Sequence, residues 1–213
     1  HWSGFSMVDL SPHRGASCTG PVMLLTGGIL ALPFETWKDY DDVKPAYQSA
    51  NLRLSHDGGQ SWRQQSTVAA DPEQRLCYWD QRIARHPTTG LLVAMFWTHD
   101  RATVRDLDNH IAWGQPDGRD WTAPAPTGLR GQHCEPIPVG GDRLLAVYVH
   151  RADPPGLRAV LSDDFGRSWR QDSEVALYES QAGPEADATG PASEGDYWHA
   201  MMAWRFGHPR GVL

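Results

Sequence analysis

The 213-residue chain carries 19 basic and 26 acidic side chains, a formal charge of −7, and shows no clustered Lys/Arg stretch, so nucleic acid is not an expected partner. No apolar run reaches the roughly 20 residues that cross a bilayer as a helix, and no signal peptide is visible, so no membrane-spanning segment is expected. With 21 Gly, 16 Pro, 10 Trp and no window of helical period, the chain reads as all-β and rich in turns.

In chain order, residues 1–17 read as the tail of a preceding unit. A strand is expected to open at Cys18-Thr19-Gly20-Pro21, and a buried one follows over Gly28-Ile29-Leu30-Ala31-Leu32-Pro33-Phe34. The run Asn51-Leu52-Arg53-Leu54 then leads into the octet Ser55-His56-Asp57-Gly58-Gly59-Gln60-Ser61-Trp62. A second unit repeats the order: an opening at Tyr78-Trp79-Asp80-Gln81, a buried run over Gly90-Leu91-Leu92-Val93-Ala94-Met95-Phe96, then His110-Ile111-Ala112-Trp113. It ends in a worn octet, Gly114-Gln115-Pro116-Asp117-Gly118-Arg119-Asp120-Trp121, with Pro116 where an Asp is expected. The third unit opens at Cys134-Glu135-Pro136-Ile137, continues through Arg143-Leu144-Leu145-Ala146-Val147-Tyr148-Val149 and Arg158-Ala159-Val160-Leu161, and closes on Ser162-Asp163-Asp164-Phe165-Gly166-Arg167-Ser168-Trp169. After a polar connection from Glu179 to Gly195, a fourth opening is expected at Tyr197-Trp198-His199-Ala200.

The two full octets share S-x-D-x-G-x-S-W, the chemistry of a hairpin turn. The Asp accepts bonds from nearby backbone N–H groups, the Gly supplies a backbone conformation closed to other residues, and the Trp packs over the strand ends. The terminal tryptophans Trp62, Trp121 and Trp169 lie 59 and 48 residues apart. That spacing suits four short antiparallel strands with their turns, which is one blade of a propeller. The whole of 1–213 is therefore expected to be one propeller fragment, with approximate blades at 1–17 (partial), 18–75, 76–131, 132–178 and 190–213 (partial).

The octet resembles the Asp-box of the sialidase-like superfamily of β-propellers, the neuraminidase or BNR repeat. The resemblance implies a six-bladed ring of which about four blade-lengths are present, with the boxes on the face away from the active site. It implies too that the inner strands open onto the substrate face, so that Asp80, Glu135 and His199 converge there with Trp79 and Trp198 beside them. Carboxylates with flat apolar faces suit a carbohydrate. The stretch from Glu135 to Arg151 looks like the sialidase segment in which a Glu assists a tyrosine nucleophile and an Arg grips the substrate carboxylate; the alternative is an ion pair steadying the strand ends. Asp80 with Arg82 forms a second candidate pair. The Phe-Arg-Ile-Pro signature and the early acid/base aspartate of that family are absent, and its late arginine and tyrosine would fall beyond Leu213.

On this resemblance the parent protein is expected to be a retaining exo-sialidase that removes terminal sialic acids, uses no metal or organic cofactor, and is secreted or periplasmic, the fragment by itself being inactive. One rival is an exo-glycosidase on neutral glycans, with Asp80 and Glu135 as its two carboxylates and Glu35, Trp37, Asp39 and the Asp41-Asp42 loop shaping a subsite. Another is a non-catalytic binding propeller that uses Trp79, Trp97 and Trp198. The three cysteines Cys18, Cys77 and Cys134, at or near successive openings, read as rim or channel-lining thiols of structural role. Their odd number and lack of C-x-x-C spacing argue against a disulfide framework and against zinc.

Overall fold

The computed structural model describes residues 4, 7–39, 41–152, 154–180 and 209. The expected fourth opening, with Trp198 and His199, lies outside these residues. Among the described residues three antiparallel sheets succeed one another, making the chain an all-β, partial β-propeller. The first holds β1 (Gly15–Cys18), β2 (Met23–Leu24), β3 (Leu30–Trp37), β4 (Ser49–Ser55) and β5 (Gln64–Ala70), in the order β1-β3-β4-β5 with β2 also on β3. The second holds β6 (Leu76–Arg85), β7 (Leu92–Asp100), β8 (Arg105–Asp106), β9 (His110–Gly114) and β10 (Ala125–Pro126), in the order β6-β7-β9-β10 with β8 on the end of β7. The third runs β11 (Gln132–Gly140), β12 (Arg143–His150), β13 (Gly156–Ser162) and β14 (Arg170–Glu179). The first inner strand starts at Gly15, earlier than the expected Cys18, and is split between β1 and β2 around Gly20-Pro21. A Pro has no N–H to give to a ladder.

Strand alternation explains how the sheets stack. Along β7, Leu92, Ala94 and Phe96 join a core with Ala50, Leu52 and Leu54 of the first sheet. Val93 and Met95, with opposite parity, join Leu144, Ala146 and Tyr148 of the third. Successive side chains of a strand point to opposite faces, so a strand clamped between two sheets is buried on both faces. All nine residues of β7 are buried, which is why Gly90–Phe96 shows no alternation in the sequence.

Buried amides tie the first two sheets together. The Gln48 side chain acts as a short strand partner: its Nε2 donates to the Tyr78 carbonyl (2.7 Å) and its Oε1 accepts from the Tyr78 N–H (2.9 Å). Gln81 Nε2 donates to the carbonyls of Phe34 (2.8 Å) and Asn51 (3.0 Å) across the sheet boundary. Replacing Gln81 by Leu leaves both buried carbonyls without that donor, so denaturant unfolding should show a loss of about 2 kcal/mol. A loss below about 0.5 kcal/mol would mean the amide is not a tie.

The octets close the β4–β5 and β13–β14 connections with one shared bond pattern. Ser55 Oγ donates to Asp57 Oδ1 (2.8 Å) and accepts from the Gly59 N–H (2.9 Å), while Asp57 accepts from the N–H and hydroxyl of Ser61 (2.8 and 2.7 Å). Ser162, Asp164, Gly166 and Ser168 repeat these bonds at 2.8, 2.8, 2.8 and 2.6 Å. The Ser61 and Ser55 bonds lower the Asp57 carboxyl to about 2. At Asp164 burial pushes the other way, but the bonds from Ser168 and Ser162 prevail and its carboxyl is also lowered. In the ladders Ser55 faces Leu30 and Ser162 faces Leu144, whereas Glu35 and His150 lie at the other ends of β3 and β12. The octets therefore occupy the end of the sheets opposite the one where Asp80 and Glu135 sit.

Candidate functional site

The inner strands of the second and third sheets each bulge near their openings. In β6 the register passes from Trp79↔Trp97 to Arg82↔Met95, one residue more on β6 than on β7, and Asp80 takes a φ of 51°. In β11 the extra residue is His133, between Gln132↔Val149 and Cys134↔Tyr148, with a φ of 23°. A bulge re-aims side chains and frequently lies beside a functional site. Neither residue is a glycine, so each holds a costly left-handed backbone that the surrounding sheets must enforce.

Those bulges draw side chains from all three sheets together. Glu35, near the end of β3, accepts the backbone N–H of Gln81 on Oε1 (2.8 Å) and is also bonded by the Asp80 N–H. Asp80 Oδ2 lies 3.8 Å from His133 Nδ1, an electrostatic contact longer than a hydrogen bond. Arg82 Nε stands 3.4 Å from Glu135 Oε2, and both side chains are largely buried. The cluster thus joins Glu35 from the first sheet, Asp80 and Arg82 from the second, and His133 and Glu135 from the third.

Glu35 is strongly perturbed. The residue retains some surface, but its carboxyl is packed among protein atoms, and this burial drives its pKa well above the ordinary carboxylate range. The neighbouring Asp80 charge pushes the same way; the Gln81 N–H, the Arg82 charge and the Asp80 N–H oppose it without prevailing. A carboxyl held neutral beside an acidic neighbour is the arrangement from which a general acid works.

Other expected site residues lie differently. Trp79 is only 6% exposed, stacked on His99 (4.9 Å between centroids) and edge-on to Trp97 (5.1 Å) and Trp37 (6.0 Å), so its faces are covered by protein and not presented to a sugar. Trp97 is 3% exposed in the same cluster, which likewise removes it from the rim. Arg151 donates from Nε to Gln132 Oε1 (2.9 Å). Glu135 pairs in the ladder with Val147, so Arg151 is four residues farther along, roughly 13 Å at 3.3 Å per residue. Both occupy one end of the hairpin, but it is Arg82 that meets Glu135. Cys77 and Cys134 are fully buried and do not line a channel, Cys134 lying against Met95 with its thiol pushed up by burial; Cys18 is exposed. His199 falls outside the described residues.

His133 was not singled out in the sequence. Its one local signal is its position just before Cys134-Glu135 at a strand opening, and nothing in the residue type announces a bulge. Among the described residues no group of three or more His, Cys, Asp or Glu side chains is arranged to hold a metal ion, and no helix is long and apolar enough to cross a membrane.

No protein-family pattern and no curated protein matches the chain. Solved structures do. A protein of unknown function from Dyadobacter fermentans DSM 18053 superposes with a TM-score of 0.57 at 23% identity, over 78% of this chain and 42% of that one. Hadza microbial sialidase Hz136 gives 0.55 at 14% identity, over 74% and 37%. The α-L-arabinofuranosidase arb93a from Fusarium graminearum gives 0.52 at 16% identity, over 75% and 48%. The chain spans less than half the length of each of these structures. At such identities the likeness is one of fold, that of a β-propeller.

Proposed function

We propose that the chain supplies adjacent blades of an exo-acting glycoside hydrolase, with Glu35 as proton donor and Asp80 and Glu135 as the ionised carboxyls of the sugar site. The observation that supports this reading is the meeting of Glu35, Asp80 and Glu135 from three successive sheets, with the Glu35 pKa raised by burial. Glycoside hydrolysis asks for one carboxyl that gives a proton to the leaving oxygen and another that is ionised. Arg82 faces Glu135 and the Asp80 charge acts on Glu35, so the cluster sets more than one acidic side chain beside a single guanidinium, which favours a neutral terminal sugar over an anionic one. The sialidase-like reading, with Asp-box turns on the far face and a terminal sialic acid as substrate, draws on Arg151, whose bond to Gln132 brings a second guanidinium to the same end of the sheets. A guanidinium fork is well matched to a sugar carboxylate.

The test is hydrolysis by the complete protein of 4-methylumbelliferyl glycosides: α-L-arabinofuranoside and β-galactoside as neutral substrates, and the N-acetylneuraminic acid glycoside as the anionic one. Turnover of a neutral glycoside, reduced at least 100-fold in Asp80→Asn and in Glu135→Gln, is the expected result. Turnover of the sialoside alone moves the assignment to the anionic sugar. Turnover of none of the three overturns the hydrolase.

A further inference from the structure

Beyond the carboxyl cluster, the same end of the sheets holds a concavity of about 990 Å³. Its origin is topological. β10 has only two residues and pairs with the first two of β9, while the chain between β7 and β9 turns at Arg101–Val104 and returns as β8 against His99 and Asp100. A groove is left between this arch and the segment leading to β11. Asn109 ties the two: its N–H donates to the Leu129 carbonyl (2.9 Å), and its own carbonyl accepts the N–H and hydroxyl of Thr127 (2.9 and 2.7 Å). Thr103, Arg105, Asp106 and Asp108 line the groove from the arch, and Arg130 from the other segment.

Two observations connect this groove with a sugar. Asp106 accepts a hydrogen bond from the side-chain amide of Gln132, and the next residue, His133, faces Asp80. The β11 bulge therefore directs one side chain to a residue that lines the groove and the adjacent one to the carboxyl cluster, which makes the two sites neighbours. The lining, moreover, mixes donors and acceptors: exposed Arg105 and Arg130 against Asp106, Asp108 and Asp100, the last paired with Arg75 (2.7 Å), together with His110. His110 Nδ1 lies 2.9 Å from the Asp108 carbonyl oxygen, so Nδ1 carries the proton and Nε2 is an acceptor; burial lowers the pKa of the ring and keeps it neutral at pH 7. Such a surface suits a polyhydroxylated, uncharged ligand. Pockets of roughly 300–1,000 Å³ hold molecules of a few rings.

We infer that the groove is a second sugar subsite, which takes the saccharide on the leaving-group side of the bond presented to Glu35, Asp80 and Glu135. The inference rests on the hydrolase reading for its place in the reaction, but sugar binding in the groove is measurable without turnover. Saturation-transfer NMR is run with lactose, cellobiose and arabinobiose on the complete protein and on Thr103→Trp and Arg105→Ala. Both residues are exposed, so neither change threatens the core. At least one disaccharide should receive saturation, at least fivefold less in Thr103→Trp and reduced in Arg105→Ala. No transfer to any of the three, or transfer unchanged in Thr103→Trp, overturns the subsite whether or not aryl glycosides are cleaved. Groove-dependent transfer in a protein that cleaves no glycoside keeps the groove as a sugar site and removes the hydrolase.

Discussion

Glu35→Gln is expected to lower glycoside turnover by about 100- to 10,000-fold, the range contributed by a positioned proton donor, while making the folded protein more stable at neutral pH. The two effects have one source. In the unfolded chain Glu35 titrates near 4.5, and in the folded chain burial and the Asp80 charge raise it well above that. Between those two values the folded state holds a proton that the unfolded state has released, so stability is complete below the unfolded value and falls as pH rises toward the folded one. The slope is about 1.4 kcal/mol per pH unit for a single group. Gln cannot ionise, and its amide oxygen can still accept the Gln81 N–H, so the variant escapes that decline. Unfolding curves of the two proteins should therefore diverge upward from about pH 4.5 in favour of Glu35→Gln. In the parent, turnover should fall on the alkaline side as Glu35 loses its proton, and that limb should be missing from any residual activity of the variant. A variant that is as active as the parent, or less stable than it at pH 7, would remove Glu35 from the role of buried acid.

The second large effect is expected at Gly131, next to the β11 bulge. A Cβ there would lie 2.5 Å from the backbone carbonyl oxygen of Val149 and 2.6 Å from the Tyr148 ring. Neither neighbour can retreat: Val149 is held in the ladders to Gln132 and Leu157, and the Tyr148 hydroxyl is bonded to Glu174. Gly131→Ala must push β11 away from β12, and overpacking against backbone costs about 3 kcal/mol or more. Gly128, three residues earlier, provides the control. Its φ is +76° but nothing lies within 4 Å of its Cβ position, so Gly128→Ala bears only the left-handed backbone cost of about 1–2 kcal/mol. Chemical denaturation should rank the two in that order. Because Gln132 and His133 follow Gly131 directly, Gly131→Ala should also weaken turnover, whereas Gly128→Ala should leave it unchanged. Equal destabilisation by the two substitutions would contradict the close approach of Gly131 to β12.

Much of the fold was legible because its signals are local. The octets announce hairpin turns through a Ser, an Asp and a Gly whose bonds are completed within eight residues, and the structure closes both with the same partners. The continuous apolar runs at Leu92–Phe96 and Leu144–Val149 mark buried strands, and they became β7, pressed between two sheets, and β12. The phase of the repeat also brought Asp80 and Glu135 to attention, since residues at equivalent openings recur at one end of successive sheets.

The sequence by itself determined an all-β chain of repeated four-stranded units and indicated which stretches open the inner strands. Only the tertiary structure decided what those openings do: that burial raises the Glu35 pKa, that Glu135 meets Arg82 with Arg151 farther along, that His133 faces Asp80, and that Trp79 is covered by three aromatic neighbours. The reason is physical. Turns and strands depend on bonds and alternation among residues near in the chain, whereas a pKa, an ion pair or the exposure of a ring depends on distances between different sheets. Two one-residue bulges set those distances, and neither Asp80 nor His133 signals its bulge by residue type.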